Sequence, residues 1–442
     1  MGIKETFINW YKKDGVKSIL KNINWLVLDR IIRMVGGLLI NAWVSRYLGP
    51  SKMGIWDISI SVSSLFLIFS SFGLDRLAIR NFVNSDRETT NTNLSVLFTM
   101  RASAALISFL TSGLILQYLA DGSQERIIVG WMISSSILVQ VFDIFTFKLQ
   151  ADLLSKYTVI AKGCGFIISS ILKVICITEN LSLEYFVATY LVDFIIGFLL
   201  LSIIFIKKYS FIKFKFSSTV FKDYWTSFFP LLLSSLAFII YSKIDQIMID
   251  RMIDETAVGV YTRAVKLNDI AIAIYTIMSS SLFPELTKQY NKSIKDLNKS
   301  YERICSLLSG LSYLGVIATI FLSDFVIDLL YGPSYSGAAN NLKILIVGMI
   351  FLYNGGMKGN YLILLNKKKI ITITSFASIF INVGMNALLI PKYGANGAAI
   401  ASVFTLCFIN FLINFLFKDT REVGRIQFRS FFLVHFIKKY IL

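Results

Sequence analysis

The sequence predicts an all-α polytopic membrane protein of twelve transmembrane helices in two six-helix bundles. Three observations predict it. Apolar stretches long enough to cross a bilayer recur along nearly the whole chain, basic residues gather in alternate breaks between them, and a hairpin of the first half is echoed in the second. Of the 442 residues, 55% are hydrophobic and only 16% charged, with a mean hydropathy of +0.66, so too little polar surface exists to cover a soluble core.

A helix crossing ~30 Å of hydrocarbon takes roughly 20 mostly apolar residues. In the first half such stretches fall at 24–47, 54–73, 94–119, 127–147, 155–177 and 184–206. In the second they fall at 225–248, 257–283, 304–323, 339–365, 370–390 and 395–417. The runs are continuous, without the alternating polarity of barrel strands, and backbone in lipid must satisfy its own hydrogen bonds, so helices are expected. Ahead of them, residues 1–23 are polar and basic, lack a cleavable signal pattern, and space Ile3, Phe7, Trp10 and Tyr11 for a cytoplasmic interfacial helix. The expected organisation is then an N-terminal bundle at 24–206, a basic cytoplasmic linker at 207–223, a C-terminal bundle at 224–417 and a basic cytoplasmic tail at 418–442.

With the N-terminus inside, the inner segments hold 29 Lys and Arg, and the outer ones five: Arg46, Lys52, Arg126, Arg251 and Lys392. That bias puts both termini in the cytoplasm. The net charge of +17 is spread over separate loops, which reads as topology and not as a nucleic-acid footprint.

The echo lies in the outer turn between the first and second spans of each half. Arg46, Gly54, Ile55 and Trp56 align without gaps on Arg251, Gly259, Val260 and Tyr261, all at one offset of 205 residues. Six spans per repeat preserve topology, so the halves would be related by an axis along the membrane normal. Other chemistry finds little support. Cys164, Cys176, Cys305 and Cys407 have no CxxC spacing, His435 is the single histidine, and no GxxxxGK[ST] loop occurs, so no metal, cofactor, disulfide framework or P-loop hydrolysis is expected. The longest outer loop, Ser323 to Gly337, is too short for the extramembrane catalytic region of an enzyme acting on lipid-linked sugars, so a non-enzymatic role is expected.

Charges sit where lipid should be. Arg30, Arg33, Arg101, Lys162, Lys173, Lys243, Arg263, Lys266, Lys343 and Lys358 lie within the spans, against Asp29, Asp57, Asp143, Asp193, Asp245 and Asp269. Each costs ~2.5–3.5 kcal/mol at a helix centre if it faces lipid, so a watery cavity or mutual pairing is required. Lys162, Lys173 and Lys343 are close enough to span ends to snorkel. Asp29, Arg30, Arg33, Gly37 and Asn41 form a polar stripe on the first span, and Arg263, Lys266 and Asp269 another on the eighth. Ion pairs such as Asp29 with Arg33, or Asp269 with Lys266, account for part of this and cannot neutralise the basic excess. A cationic cavity attracts an anion, and a phosphate-bearing lipid headgroup is the most economical one. The expected ligands of a pyrophosphate are Arg30, Arg33, Arg263 and Lys266, with Arg101 and Lys358 completing the cationic lining.

Several segments also carry a family resemblance. Val44 to Trp56 (VSRYLGPSKMGIW), Phe72 to Arg80 (FGLDRLAIR), Lys243 to Ile249, Ala257 to Lys266, Tyr331 to Tyr335 and Tyr393 to Ala401 together resemble the bacterial O-antigen and polysaccharide flippases of the multidrug, oligosaccharidyl-lipid and polysaccharide exporter superfamily. The resemblance implies a V-shaped inner-membrane protein that moves undecaprenyl-pyrophosphate-linked oligosaccharide from the cytoplasmic to the periplasmic leaflet by alternating access. It implies membrane lipids and a polysaccharide polymerase complex as partners, and coupling to H+ or Na+, for which Asp29, Asp193, Asp269 and Asp245 are the available carboxylates. A drug exporter of the same superfamily is one alternative. A major-facilitator protein is another, although Gly73 to Arg80 has the wrong spacing for that family's loop; an O-antigen polymerase or ligase is the third.

Overall fold

A computed structural model of the chain describes residues 14–71, 73–210 and 213–432. The interfacial residues Ile3, Phe7, Trp10 and Tyr11, and His435 with the end of the tail, lie outside the described residues. Among those described, all regular structure is helical: α1 (Asp14–Ser71), α2 (Asp75–Phe82), α3 (Arg87–Leu119), α4 (Gln124–Val139), α5 (Ile144–Ala151), α6 (Ser155–Thr178), α7 (Leu183–Tyr209), α8 (Ser218–Met252), α9 (Glu255–Tyr290), α10 (Ile294–Tyr331), α11 (Gly337–Gly355), α12 (Lys358–Leu364), α13 (Lys368–Tyr393), α14 (Ala395–Asn410) and α15 (Arg421–Phe431), with short 3₁₀ turns between some of them.

Nine stretches among the described residues are long and apolar enough to span a membrane by composition alone. The first holds two crossings, because Gly49 (φ 75°, ψ 173°) leaves the helical region and Pro50 restarts the helix without needing a backbone donor. With α8 and the α11–α12 pair the described crossings number twelve, as expected, and the chain is a multi-pass membrane protein. Two crossings are interrupted. The fourth passes through a 3₁₀ turn, Gln140–Asp143, between α4 and α5, and the tenth breaks between Gly355 and Lys358. Each interruption thus carries a charge, Asp143 or Lys358.

The chain divides into two packed units: Met1–Leu48 with Ser59–Leu236, and Gly49–Ile58 with Ala237–Leu442. The first therefore runs past the 207–223 linker. The backbone N–H of Lys215 donates to Ser95 Oγ (3.0 Å) and Tyr224 OH to Asn93 Oδ1 (2.8 Å), tying the linker and the start of α8 to α3. In the first unit Phe82, Leu97, Leu149, Leu201 and Phe205 are fully buried, with Phe145 stacked on Phe205 at 4.7 Å. Beside this core Asp86 caps α3, and hydrogen bonds from the Thr89 hydroxyl and backbone hold its carboxyl below the usual range.

In the second unit the core includes Leu286, Leu297, Tyr301, Leu308, Met357 and Leu362. The connector Glu285 to Arg303 buries Leu286, Leu297 and Tyr301 completely. The tail beginning at 418 contains a docked helix: α15 buries Val423, Ile426, Gln427 and Ser430 while Arg421, Arg425 and Arg429 stay exposed. Gln427 is the peg. Its Nε2 donates to Tyr301 OH (3.0 Å), and its Oε1 and carbonyl accept from Asn414 (2.7 Å) and Asn354 (3.3 Å). A basic count cannot reveal a helix whose docking depends on one buried amide.

The echoed hairpins meet inside this unit. A Cβ added at Gly54 would lie 1.7 Å from the carbonyl oxygen of Glu255, and one at Gly259 2.0 Å from that of Pro50. Pro50 and Glu255 are themselves equivalent at the offset of 205 residues. The contact is therefore reciprocal, each repeat's glycine receiving the other's carbonyl, as a pseudo-symmetric pair requires.

Candidate functional site

The polar stripe of α1 folds back on itself before it meets anything else. Arg33 Nε donates to Asp29 Oδ1 at 3.0 Å, the spacing of four residues placing both on one helix face. Its Nη1 lies 4.0 Å from Asp193 Oδ2 on α7, and its guanidinium sits 5.5 Å above the Phe166 ring of α6. Nη2 is buried without a hydrogen-bond partner. Arg33, Asp29 and Asp193 thus form one cluster in the first unit, while Arg30 is exposed beside it.

Elsewhere in that unit Lys162 pairs with Asp143 at 2.5 Å, its ammonium 5.0 Å from the Phe198 ring. Arg101 is different: it is 4% exposed, lies 5.5 Å over the Phe147 ring, and leaves Nε and Nη1 without hydrogen bonds. The carboxylates of Asp143 and Asp75 act on it only at longer range.

In the second unit, two cations of α9 converge on one carboxylate. Arg263, with no exposed surface, donates through Nη2 to Asp57 Oδ2, and Lys266 Nζ lies 3.6 Å from Asp57 Oδ1. Asp57 is 4% exposed; Lys266 keeps 32% of its side chain accessible. The Arg263 guanidinium also lies 5.9 Å from the Tyr331 ring. The expected Asp269–Lys266 pair does not form: Asp269 is exposed, and Lys266 goes to Asp57. Asp57 thus takes two cations at once, and it was not among the residues picked out for the site. The signal was present, since Asp57 directly follows the echoed Gly54–Ile55–Trp56.

Lys358 and Asp245 are separate from both clusters. Lys358, 6% exposed at the break of the tenth crossing, donates to the carbonyl of Ile409 at 2.5 Å. Asp245 accepts from three neutral donors, Asn386 Nδ2 (2.6 Å), Ser402 Oγ (2.6 Å) and Tyr261 OH (2.9 Å). Asn386 Nδ2 is also 3.2 Å from Asn382 Oδ1, while Asn386 Oδ1 and Asn382 Nδ2 are buried without partners. The result is a buried carboxylate among oxygen-rich side chains from α8, α9, α13 and α14. Lys343, by contrast with expectation, does not merely snorkel; it pairs with Asp324 at 2.6 Å.

Residues 19–290 match the family described as polysaccharide biosynthesis protein. The chain belongs to that family. Residues 230–388 of this polysaccharide biosynthesis protein also match the MatE family. Among its relatives, the capsular polysaccharide biosynthesis protein CapF of Staphylococcus aureus is 21% identical over 387 residues, covering 86% of this chain and 95% of the relative. A protein named probable flippase AglR, of Haloferax volcanii, is 29% identical over 174 residues, 38% of this chain and 36% of its own. Among solved structures, a multidrug resistance MATE family transporter of the MOP superfamily in its inward-facing conformation superposes with a TM-score of 0.73 at 17% identity, covering 94% of this chain and 99% of that one. The lipid II flippase MurJ superposes with 0.71 at 16% identity, covering 95% and 93%. The polysaccharide biosynthesis protein therefore has the fold of these transporters.

Proposed function

We propose that this polysaccharide biosynthesis protein is a lipid-linked glycan flippase, carrying an undecaprenyl-pyrophosphate-linked oligosaccharide from the cytoplasmic to the periplasmic leaflet of the inner membrane by alternating access. Family membership and the names of its relatives support the flippase reading. The observation that carries the chemistry is Asp57 shared by Arg263 and Lys266, which leaves an accessible ammonium deep in a helix. An anionic group is what two converging cations attract, and the pyrophosphate supplies it. Within the first unit, Arg33, held between Asp29 and Asp193 with one guanidinium nitrogen unpartnered, is a separate cationic position. Arg30, Arg101 and Lys358 stand as further cationic positions. An exporter of organic cations would share this fold, but a basic excess within the crossings opposes that cargo.

The test is transport in proteoliposomes loaded with a fluorescent undecaprenyl-pyrophosphate-linked sugar, read by leaflet-selective quenching. Lys266→Gln and Arg33→Gln each lower the initial rate at least about tenfold, a change of ~1.4 kcal/mol in the barrier. Wild-type rates in both variants would reject the assignment of these residues; no movement by the wild type would reject the flippase. For the driving force, the Asp245 cage is the proposed seat of a monovalent coupling cation, since it offers one carboxylate and several oxygen ligands without any basic residue.

A further inference from the structure

The second unit carries an apolar groove that the charged clusters do not use. It lies between α9, α10 and α11 and encloses about 410 Å³. Val316, Leu342, Ile346 and Met349 form a buried floor, and Ser312, Gly315, Ala318 and Thr319 of α10 keep it open. A side chain built at Gly315 would meet nothing within 4 Å. Along α10 the lining runs from Leu311 to Val326, which at the helical rise is ~22 Å.

The geometry points to this groove as the seat of the polyprenyl chain of the transported lipid, with Lys266 holding the pyrophosphate at its edge. The inference rests on the flippase reading. Length and charge choose this occupant over resident lipid. One leaflet is only ~15 Å deep, half of a ~30 Å core, so an acyl chain fixed in its own leaflet leaves part of a ~22 Å groove unfilled. A polyprenyl chain, long enough to fill it all, does not. Lys266 immediately precedes the lining residue Leu267 and shares a helix face with Ile270, another lining residue. It lies eleven residues into α9, ~16 Å from the helix end, where no resting headgroup sits. An amphiphile in transit brings an anionic head to that depth and an apolar tail beside it.

The test measures binding to the full chain in nanodiscs with two probes that carry the same pyrophosphate-linked sugar, one on a farnesyl and one on an undecaprenyl chain. The wild type binds the undecaprenyl probe at least about tenfold tighter, because only the longer chain packs closely along the whole groove. Gly315→Trp and Ala318→Trp, two independent fillers of the groove, remove the preference for the undecaprenyl probe and bring the two affinities together. A diazirine at the far end of the undecaprenyl chain labels α10 between Leu311 and Val326 in the wild type, a readout that needs no variant. Equal affinity for both chain lengths, or labelling elsewhere, overturns the groove assignment while the pyrophosphate reading stands. Competition by phosphatidic acid as effective as by the undecaprenyl probe makes the occupant an ordinary lipid and likewise overturns it. If the wild type binds neither probe, the flippase reading falls and this inference with it.

Discussion

Asp57 sits within 4 Å of two cations, and its removal takes a carboxylate from both. Arg263 has no exposed surface, so it cannot rehydrate when its carboxylate is lost, and an uncompensated buried charge costs on the order of 3 kcal/mol. Lys266 is partly accessible, and its loss leaves Asp57 matched by Arg263. Asp57→Asn is therefore expected to lower the unfolding temperature of the detergent-solubilised protein far more than Lys266→Gln, whose stability cost stays below about 1 kcal/mol. That outcome would separate the two side chains by role, Asp57 holding the fold and Lys266 serving the proposed cargo. Equal losses in a thermal unfolding series would deny that separation. How far the sequence revealed these contacts follows from their range. Asp29 with Arg33 was legible because four residues make one helical turn. The partner of Lys266 was not, because local spacing pointed to Asp269 three residues away and the carboxylate it meets lies in another helix.

At the scale of elements, continuous apolar runs and inner basic clusters located all twelve crossings, because the bilayer imposes one length on each of them. Breaks within crossings escaped that reading. Hydropathy averages over the window, and neither the 3₁₀ turn at Gln140–Asp143 nor the interruption before Lys358 changes the average much. The docked helix α15 escaped too, as Gln427 counts as polar in any composition. The repeat, in contrast, was visible as a four-residue echo, and its glycines turn out to mark a backbone contact. Lipid tails are as apolar as the helices, so close packing and not expulsion from water holds such contacts together. Gly54→Ala and Gly259→Ala each push a methyl to within 2.0 Å or less of a carbonyl oxygen, which only a backbone shift relieves. Each is expected to lower thermal stability by roughly 1–3 kcal/mol, the usual cost of overpacking. Gly37→Ala, on an open face, provides the control and is expected to be neutral. Tolerance of both crossing variants would mean the reciprocal contact is loose.

If the proposed transport is ion-coupled, the Asp245 cage is where the ion would sit. A buried carboxylate with only neutral partners is a costly arrangement unless something positive joins it. The Ser402 and Tyr261 hydroxyls already face the Asp245 carboxylate, and the side-chain amides of Asn386 and Asn382 beside it carry further oxygens, a set suited to a hard monovalent cation. Such an ion would bind residues from α8, α9, α13 and α14 at once, so loading the cage stiffens four helices of the second unit together. Sodium is then expected to raise the unfolding temperature of the wild type relative to choline at matched ionic strength, by an amount equivalent to ~2.7 kcal/mol at a hundredfold excess over its dissociation constant. Asp245→Asn removes the charge while keeping the side-chain shape, and abolishes the difference. Asp29→Asn, in a cluster already matched by Arg33, retains it. In vesicles, the same Asp245 variant loses the acceleration of glycan-lipid transport by an inward sodium gradient. If the wild type unfolds at one temperature in sodium and choline but is stabilised as the medium is acidified, a proton occupies the cage instead; if neither ion has an effect, Asp245 is only a structural acceptor and coupling must lie elsewhere.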